Sequence, residues 1–490
     1  MTRSRPTERE RHQERHGVGI VWFRRDLRLA DNPALVDALA AHETVLPLFV
    51  WDPRLVESSG AARVSFLLGC LRELDESLGG RLVVRTGDPS RVVPEVATEA
   101  GASVVWCAED FGPYGARRDV AVAGALAPAG ATLVRSGSPY AVPPGRLSTG
   151  LDRPYQVFTP FSRAWRAHGW DEPAGRPGLE DSEIARLSGE RLAEPPAVAA
   201  SLPRPGEEAA RRRLEQFLDR LVGHYGEARD RPDLEGTSRL SPYLKFGCLH
   251  PRQILSRLDP TDTAHLRFET ELCWRDFYAD VLWHRPDSAS GPFRPEWRSF
   301  PVDSGPQADA RFKAWSLGRT GYPIVDAGMR QLLGEGWMHN RVRMIVASFL
   351  VKDLHLDWRR GARWFMQHLV DGDLASNQHG WQWVAGSGTD AAPYFRVFNP
   401  VAQGKRFDPD GAYVRRWVPE LADLPGGTIH EPRKADPATL VPDLDYPPPI
   451  VDHATERAEA LARYAARGQA AGPDPSPADE RTPVRPGTTR

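Results

Sequence analysis

Gly19-Ile20-Val21-Trp22-Phe23 opens a series of short apolar runs that decides the fold of the amino-terminal part of the chain. Similar runs, each of strand length, recur at 45–50, 82–84, 103–106 and 132–134. The stretch 64–78 lies between two of them and repeats apolar residues at the i, i+3, i+4 spacing of a helix. Because strand and helix patterns alternate, the sequence predicts an α/β domain with a doubly wound parallel sheet over 17–135.

The pattern changes beyond the predicted sheet. Residues 136–205 are rich in proline, glycine and serine, which predicts a long interdomain linker. From 206 to 465 the apolar residues follow helical spacing without strand alternation, which predicts an all-helical domain. Such stripes include Leu214, Phe217, Leu218 and Leu221, and Val342, Ile345, Val346, Phe349 and Leu350. The charged leader 1–16 and the tail 466–490, rich in proline and glycine, are predicted to be disordered.

Composition limits the classes of protein to which the chain can belong. The 490 residues hold 63 lysines and arginines against 65 aspartates and glutamates, so any affinity for nucleic acid must be local. Four widely spaced cysteines without a CxxC pair argue against a structural zinc or iron-sulfur site. No apolar run approaches the roughly 18 residues of a membrane span, and no segment has the pattern of a signal peptide. These features predict a cytoplasmic protein without a membrane partner.

Two predicted helices each place chemically distinctive side chains on one face. In the first helix an acid, a cation and two aromatic rings stand at i, i+3, i+4 and i+7, namely Glu271, Trp274, Arg275 and Tyr278. The second helix repeats this spacing with Trp337, Asn340, Arg341 and Met344. Ordinary amphipathic packing with a surface salt bridge explains either helix equally well. Spacing alone leaves both interpretations open.

The segment from Gly236 to Pro242 carries chemistry suited to phosphate. Its Thr237-Ser238-Arg239 triplet offers hydroxyls, backbone N–H groups and a cation just before a helical stretch. Hydroxyl residues are also common caps at a helix start, so a simple cap is the alternative. Asp371-Gly-Asp373 lacks the further oxygen ligands and the terminal glutamate of a calcium loop, and no metal site is predicted.

Basic and aromatic residues concentrate in the predicted helical domain. Residues 337–363 carry six lysines and arginines against two aspartates. From Arg396 onward, basic and aromatic residues interleave, and ten of the fifteen tryptophans fall between Trp274 and Trp417. This mixture is typical of a nucleic-acid-binding surface that contacts phosphates and stacks aromatic rings on bases. The alternative is a solvated basic face without a binding function.

Six segments stand in this order: Phe23-Arg-Arg-Asp-Leu-Arg-Leu-Ala-Asp-Asn-Pro33, Gly236-Thr-Ser-Arg-Leu-Ser241, Thr320-Gly-Tyr-Pro-Ile-Val-Asp326, Trp337-Met-His-Asn-Arg341, Asp371-Gly-Asp-Leu374 and Gly388-Thr-Asp-Ala-Ala-Pro-Tyr-Phe-Arg396. With them the chain resembles the DNA photolyase and cryptochrome family over 17–465, most closely the class I cyclobutane pyrimidine dimer photolyases. The family fold, an α/β domain joined by a long loop to a helical FAD-binding domain, agrees with the patterns above.

The resemblance also implies roles for individual residues. Catalytic roles would fall to Glu271, Asn377, Trp381 and Trp358. FAD would be bound by Tyr225, Thr237, Ser238, Arg239, Leu240, Ser241, Phe268, Glu271, Arg275, Trp337, Asn340, Arg343, Asp371, Asp373 and Asn377. Damaged DNA would be bound by Glu271, Trp274, Asn340, Arg341, Met344, Trp383 and Arg396. The resemblance places Asn377 at the central-ring nitrogen of the flavin. An amide there can both donate and accept a hydrogen bond, so it tolerates the semiquinone and the reduced anion.

The chain departs from the family in its aromatic residues. Phe268 stands where the family often has a tryptophan, one turn before Glu271. Trp381 and Trp358 match the inner members of the tryptophan chain that photoreduces the flavin. The outer member has no counterpart, because 298–314 contains no tryptophan, and Trp297, Trp315 or a tyrosine would have to substitute.

The antenna pigment is a further point of departure. The segment starting at Phe111 stands where folate-binding members carry a glutamate that holds the pterin. The resemblance therefore favours a deazaflavin, or no pigment, over folate. Trp51 and Asp52, at a strand end, are the candidate contacts for such a pigment.

The activity implied by the resemblance is light-dependent repair of cyclobutane pyrimidine dimers, by a monomeric deoxyribodipyrimidine photo-lyase acting on ultraviolet-damaged DNA. Photoexcited reduced FAD would pass an electron to a dimer flipped out of the duplex. One alternative is a cryptochrome-type blue-light photoreceptor, which Asp or Cys at position 377 would favour. Another is repair of the (6-4) lesion, which relies on a pair of histidines after the flavin loop, where only His339 is present.

Overall fold

The structure, a computed structural model, describes residues 15–389, 395–433 and 445–470. Its first part contains five strands: β1 (Val18–Phe23), β2 (Thr44–Trp51), β3 (Val83–Thr86), β4 (Val104–Cys107) and β5 (Thr132–Arg135). They form one sheet in the order β3-β2-β1-β4-β5, and every pair is parallel. The predicted doubly wound α/β sheet is confirmed, and each strand lies on one of the apolar runs.

Helices cover both faces of this sheet, as a parallel sheet requires. They are α1 (Pro33–Ala41), α2 (Pro53–Glu57), α3 (Ala61–Ser77), α4 (Pro89–Ala100) and α5 (Pro113–Leu126), followed by a 3-10 turn at Ala127–Ala129. Proline opens four of the five helices, at a position where its missing N–H costs nothing. The strand order reverses between β1 and β4, so a crevice opens at the carboxyl ends of β1 and its neighbours.

The predicted linker, 136–205, is not irregular throughout. It contains the helix α6 (Phe158–His168) and a 3-10 turn at Asp181–Glu183. Phe161 and Trp165 of α6 are buried, and the Trp165 indole donates a hydrogen bond of 3.0 Å to Asp276. The helix was missed because it is short and its proline-rich surroundings hide the period, although Pro160 stands in the first turn, where proline is tolerated.

The rest of the chain is helical, as predicted, and no strand occurs among its described residues. The helices are α7 (Glu207–Arg220), α8 (Tyr225–Ala228), α9 (Ser241–Phe246), α10 (Pro251–Leu255), α11 (Thr263–His284), α12 (Pro306–Ser316), α13 (Pro323–Glu335), α14 (Asn340–Ser348), α15 (Trp358–His368), α16 (Leu374–Ala385), α17 (Pro400–Phe407), α18 (Ala412–Trp417) and α19 (His453–Ala470). Short 3-10 turns occupy Val222–His224, Pro286–Ala289, Pro295–Trp297, Pro419–Leu421 and Gly426–His430, and a π turn occupies Phe349–Asp353.

Helix α19 corrects the predicted start of a disordered tail at 466, because it continues to Ala470. The guanidinium of Arg467 lies 4.8 Å from the centre of the Trp297 ring, which ties the last turns of α19 to the domain. Residues 471–490 and the leader 1–14 lie outside the described part of the chain. None of the described helices is long and apolar enough to cross a bilayer.

The turn after β1 joins the sheet domain to the helical domain. The Leu27 amide donates to the Phe246 carbonyl at 3.2 Å, and the Arg28 guanidinium donates to the Gly247 carbonyl at 3.0 Å. Gly247 has a φ of +68°, and a Cβ there would come within 1.9 Å of the Arg25 carbonyl oxygen. Only glycine allows this approach of the two domains.

Candidate active site

A cavity of about 670 Å³ opens inside the helical domain, in the size range of small-molecule sites. It is lined by residues from the loop before α9 and from helices α11, α14 and α16. The predicted site residues in this wall are Tyr225, Thr237, Ser238, Arg239, Leu240, Ser241, Phe268, Glu271, Trp274, Arg275, Trp337, Asn340, Arg341, Arg343, Met344, Asp371, Asp373, Asn377, Trp381 and Trp383. The fold thus brings together residues that are up to 158 positions apart in the sequence, from Tyr225 to Trp383.

The loop before α9 forms one end of the cavity. Arg239 adopts a left-handed backbone conformation with a φ of +51°. Its guanidinium stacks over the Trp337 ring at 4.2 Å and pairs with Glu335 at 3.0 Å. The Trp337 indole donates to the Ser241 hydroxyl at 3.3 Å. Trp337 therefore contacts both the loop, through Arg239, and the start of α9, through Ser241.

Glu271 on α11 faces the cavity and pairs with Arg229 at 2.5 Å. Burial raises the pKa of the Glu271 carboxyl, while Arg229 pulls it back towards its ordinary value. Arg229 also lines the cavity, although no motif or helical spacing pointed to it. It lies 42 residues before Glu271 in the chain, so only the packing of α8 against α11 brings the two together.

Trp274, one turn beyond Glu271, has one ring face covered. Its indole is stacked on Phe158 of α6, with ring centres 3.6 Å apart and planes 4° from parallel. This contact pre-orients the ring in the wall of the cavity. Phe268, the residue that departs from the family pattern, instead packs against Phe217 at 4.6 Å and Tyr225 at 5.2 Å.

Arg275 serves as a structural contact as well as a part of the wall. Its guanidinium donates to the carbonyls of Pro139 at 2.8 Å and Leu244 at 3.2 Å, and lies over the Tyr140 ring. It therefore links the segment after the sheet to α9. Arg275 thus shares one face of α11 with Glu271 and Trp274 but has structural contacts of its own.

Arg343 and Asp371 form an ion pair of 2.8 Å in the wall. The Asp371 side chain is 3% exposed and the Arg343 side chain 25%. A second hydrogen bond of 2.8 Å from Arg343 to the Met338 carbonyl fixes the guanidinium. The other carboxylate oxygen of Asp371 is buried and has no hydrogen-bond partner among the described residues, so it is available to a ligand N–H or O–H group.

Asp373 caps α16 and is held by cations from both domains. Its carboxylate accepts from the Ser376 amide, pairs with Arg25 at 2.8 Å and lies 3.7 Å from Lys245. Burial disfavours the charged carboxylate, but Arg25 and Lys245 outweigh it and hold the pKa of Asp373 far below its ordinary value. Burial and the charge of Arg25 lower the pKa of Lys245 to about 7.

Asn377, on the first turn of α16, has a fixed amide orientation. Its nitrogen donates to the Ala362 carbonyl at 3.1 Å and to the Gln378 side-chain oxygen at 2.9 Å. Because both N–H groups have acceptors, the amide oxygen is the group that remains for the cavity. In this arrangement the side chain of Asn377 can accept a further hydrogen bond but has no N–H group left to donate.

Two predicted site residues lie outside this cavity. Trp358, at the start of α15, is buried but is not in the wall. Among the described residues the rings in contact with Trp381 are those of Trp315, at 6.1 Å, and Phe365, at 5.0 Å. Arg396 is exposed beside a smaller cavity of about 40 Å³ that shares Trp383 with the main one.

The basic and aromatic stretch after Arg396 is only partly a free surface. Phe407 and Tyr413 are buried, and the guanidiniums of Arg341 and Arg406 cover the Phe407 ring. Tyr394 lies outside the described residues. The aromatic residues of this stretch therefore contribute mainly to packing. Arg415 donates to the carbonyls of Asp410, Ala422 and Leu424, and Arg416 pairs with Glu335.

His339 is buried and does not line the cavity. Its ring accepts from the Arg341 amide at the start of α14, and burial lowers its pKa to about 4. It is therefore a neutral helix cap. No group of three or more acidic, histidine or cysteine side chains that could hold a metal ion occurs in the described ranges.

A second cavity of about 420 Å³ lies at the carboxyl ends of β1 and β2, where the crevice of the sheet was expected. Trp51 and Asp52 line it, together with four cationic side chains: Arg24, Arg63, Arg118 and Lys245. Lys245 and Gly372 line both cavities and so form the wall between them.

Comparisons with known proteins agree with this architecture. Residues 19–178 match the family model described as DNA photolyase, and 268–466 match the one described as the FAD binding domain of DNA photolyase. The deoxyribodipyrimidine photo-lyase of Synechococcus sp. is 42% identical over 480 residues, covering 91% of this chain and 96% of the relative.

Two solved structures are also similar. A bacterial class III photolyase from Agrobacterium tumefaciens has a TM-score of 0.85 and 39% identity, covering 93% of this chain and 98% of that one. An archaeal photolyase from Sulfolobus tokodaii with two FAD molecules has a TM-score of 0.77 and 32% identity, covering 92% of this chain and 100% of that one.

Proposed function

Because this chain belongs to the DNA photolyase family and carries its FAD-binding domain, we propose that it is a light-dependent enzyme that splits cyclobutane pyrimidine dimers in DNA. One observation carries the proposal. The residues expected to bind FAD and, apart from Arg396, those expected to bind the lesion line a single cavity, so a donor and a flipped-out dimer can lie side by side.

The cavity suits FAD at both of its ends. The Thr237–Ser241 loop offers hydroxyls and backbone N–H groups to phosphates. At the other end the unpartnered oxygen of Asp371 and the free amide oxygen of Asn377 can accept from ring N–H groups. When bound and reduced, FAD supplies the photoexcited electron that opens the dimer and receives it back afterwards.

The residues at the cavity mouth would hold the lesion. Trp274, fixed by Phe158, and Trp383 offer flat apolar walls for the two stacked pyrimidines, and Met344 supplies a polarisable contact between them. Two saturated rings pair poorly with the opposite strand, so this dinucleotide costs less to extrude than a normal pair. Arg341, Arg343 and Arg396 would contact the DNA phosphates or the cofactor nearby.

Glu271 and Asn340 would provide the polar contacts to the lesion. Burial favours the protonated form of Glu271, and a protonated carboxyl can donate to a pyrimidine carbonyl that gains negative charge. Arg229 limits this effect and keeps the side chain in one position. Asn340, exposed at the first turn of α14, can pair with the amide edge of a pyrimidine.

Trp381 would be the tryptophan that reduces oxidised flavin under light. Its ring contacts point to Trp315 as the next member of the electron route, since Trp315 is the nearest oxidisable ring. Trp358 stays a candidate from the sequence. Trp297, whose guanidinium partner Arg467 belongs to α19, borders the smaller cavity beside Trp383 and offers a second exit.

The second cavity would hold an antenna pigment. Four cations and the rings of Trp22 and Trp51 suit a flat aromatic molecule with acidic groups, whether a flavin or a folate. The preference for a deazaflavin over folate rests on the segment at Phe111, which lacks the glutamate that would hold a pterin. The Sulfolobus photolyase with two FAD molecules is consistent with a flavin-type second pigment. The class I assignment, a monomeric state and the cytoplasmic location belong to the same proposal.

The decisive experiment uses the purified chain, chemically reduced under anaerobic conditions, with a thymine-dimer oligonucleotide. Blue light should convert the dimers to monomers, and darkness should not. A (6-4) oligonucleotide under the same light should stay unchanged. Equal conversion in the dark would refute a photolyase, and flavin photochemistry without repair would favour the cryptochrome-type photoreceptor.

A further inference from the structure

Arg213, on the inner side of α7, holds the loop that ends at α9. Its guanidinium donates two hydrogen bonds to backbone carbonyls, one of 2.8 Å to Thr237 and one of 2.7 Å to Ser238. Arg213 is not in the cavity wall, and neither the motifs nor the family resemblance drew attention to it. We propose that Arg213 is a positioning residue that keeps this loop in its phosphate-binding conformation.

The geometry of the peptide bond explains how an arginine behind the loop can act on the ligand in front of it. In a trans peptide the C=O of one residue and the N–H of the next point in opposite directions. All described peptide bonds are trans. Because Arg213 holds the carbonyls of Thr237 and Ser238 away from the cavity, the amides of Ser238 and Arg239 point towards it.

The loop has the form of an anion-binding nest. Arg239 has a left-handed φ of +51°, and the following Leu240 is right-handed with a φ of −85° and a ψ of −7°; such a pair makes successive N–H groups converge. Neither the Ser238 amide nor the Arg239 amide has a hydrogen-bond partner among the described residues. Both residues line the cavity, so their N–H groups are available to phosphate oxygens.

Tight packing and neighbouring charges restrict the conformation of the loop before α9. A Cβ at Gly236 would lie 2.4 Å from the Cβ of Ala228, so the base of the loop is packed tightly on α8. Burial lowers the pKa of Arg213, and the charge of Arg239 lowers it further. Two neighbouring cations repel each other across the loop, and a bound diphosphate would relieve that repulsion.

The inference rests on the proposed function, because the expected ligand is the diphosphate of FAD. It goes beyond that function by assigning the phosphate affinity to a residue that touches no ligand. Arg212, the preceding residue on α7, provides a matched control. It is exposed and, among the residues that the structure describes, forms an ion pair with Glu208 at 3.8 Å.

The test measures the affinity of the full chain, freed of flavin, for FAD, ADP and riboflavin. In Arg213→Met the apolar stem is kept and both hydrogen bonds are lost. We expect FAD and ADP to bind about tenfold more weakly, since a hydrogen bond from a charged donor is worth about that factor. Riboflavin has no phosphate, and its affinity should stay the same. Arg212→Met should change none of the three affinities.

Arg213→Lys separates geometry from charge. A lysine keeps the positive charge but lacks the planar fork that spans two carbonyls, so it should recover only part of the ADP affinity. It also serves as the second variant if Arg213→Met does not fold. Full recovery by lysine, an equal loss of riboflavin, or unchanged ADP binding in Arg213→Met would each overturn the inference. If ADP binding is unchanged in Arg213→Met while the unsubstituted protein binds FAD and ADP, only the role of Arg213 is refuted and the proposed function stands. If the unsubstituted protein binds neither FAD nor ADP, both the role of Arg213 and the proposed function are refuted.

Discussion

The cavity in the helical domain and the cavity at the sheet differ in how many of their lining residues could be predicted from the sequence. The larger cavity is lined by twenty residues to which the family resemblance had assigned roles, some of them also marked by helical spacing, whereas the cavity at the sheet had only Trp51 and Asp52 as candidates. The first is built mainly from one-sided faces of α11, α14 and α16, whose spacing is visible in the chain. The second forms where the sheet docks on α9 and α15. A site made by docking leaves little trace in the local pattern.

The shared wall makes this comparison testable. Lys245 and Gly372 border both cavities, and Asp373 connects the wall to Arg25 of the sheet domain. Variants that empty or distort one cavity should leave the other unchanged if the two sites are separate. A variant in the wall should affect both.

The largest effect is expected from Arg343→Ala. The change leaves Asp371 buried without its cation, which should cost about 3 kcal/mol of unfolding free energy, the lower end for buried pairs because Arg343 is partly exposed. Bound FAD should be lost, while pigment binding in the second cavity should persist. Denaturant unfolding and the flavin absorption of the purified variant measure this.

Arg211→Ala is the matched control for Arg343→Ala. Arg211 pairs with Glu208 and Glu215 on the exposed face of α7, and such pairs contribute at most about 1 kcal/mol. An Arg343→Ala variant that retains FAD at wild-type stability would show that the ion pair does not hold the flavin end of the cavity.

Trp381→Phe should remove most of the photoreduction of oxidised flavin while conserving apolar volume and stability. Repair by chemically reduced protein should survive, which separates the electron route from the repair site. Trp315→Phe should lower the yield more than Trp358→Phe, since Trp315 is in ring contact with Trp381. Transient absorption under blue light measures both. Normal photoreduction in Trp381→Phe would point to another donor, such as Trp383 or Trp297.

Trp274→Ala should weaken binding of dimer-containing DNA by about 1 to 3 kcal/mol, the worth of one base-aromatic stack, and should leave the FAD content unchanged. Trp283 lies on the same helix, 40% exposed, and Trp283→Ala should not alter lesion binding. Fluorescence anisotropy with damaged and undamaged duplexes compares the two. Loss of FAD in Trp274→Ala would identify the stack on Phe158 as core packing.

The smallest effect concerns the wall itself. Lys245, with a pKa of about 7, is charged below that pH and neutral above it. Attraction for an acidic pigment in the second cavity is therefore present at about pH 6 and lost by about pH 8, a change of up to about tenfold in affinity.

Lys245→Met should remove this pH dependence, and the exposed Lys313→Met should not. Deazaflavin titrations monitored by fluorescence quenching at the two pH values measure it. If the pigment affinity of Lys245→Met still differs between the two pH values as it does in the unsubstituted protein, the pH dependence comes from another group.

Prediction from the sequence succeeded where the hydrophobic periodicity within one strand or helix is sufficient. The five strands and the helical character of the second domain follow from local periodicity, because each period reflects burial of one face. It failed for α6 and for the end of α19, whose contacts are with residues distant in the chain. Arg229, Phe158 and Arg213 were missed for the same reason, since their partners lie tens of residues away or more.

The sequence by itself determined the types of side chain that meet at the site and the helix faces that carry them. Only the tertiary structure decided their final states: the amide of Asn377 turned by Ala362, the ring of Trp274 held by Phe158, and the carboxylate of Asp373 held by Arg25. The physical reason is that hydrogen-bond direction, ring stacking and charge pairing depend on distances between elements. Those distances are set by the packing of the two domains and cannot be read from the period of any single helix or strand.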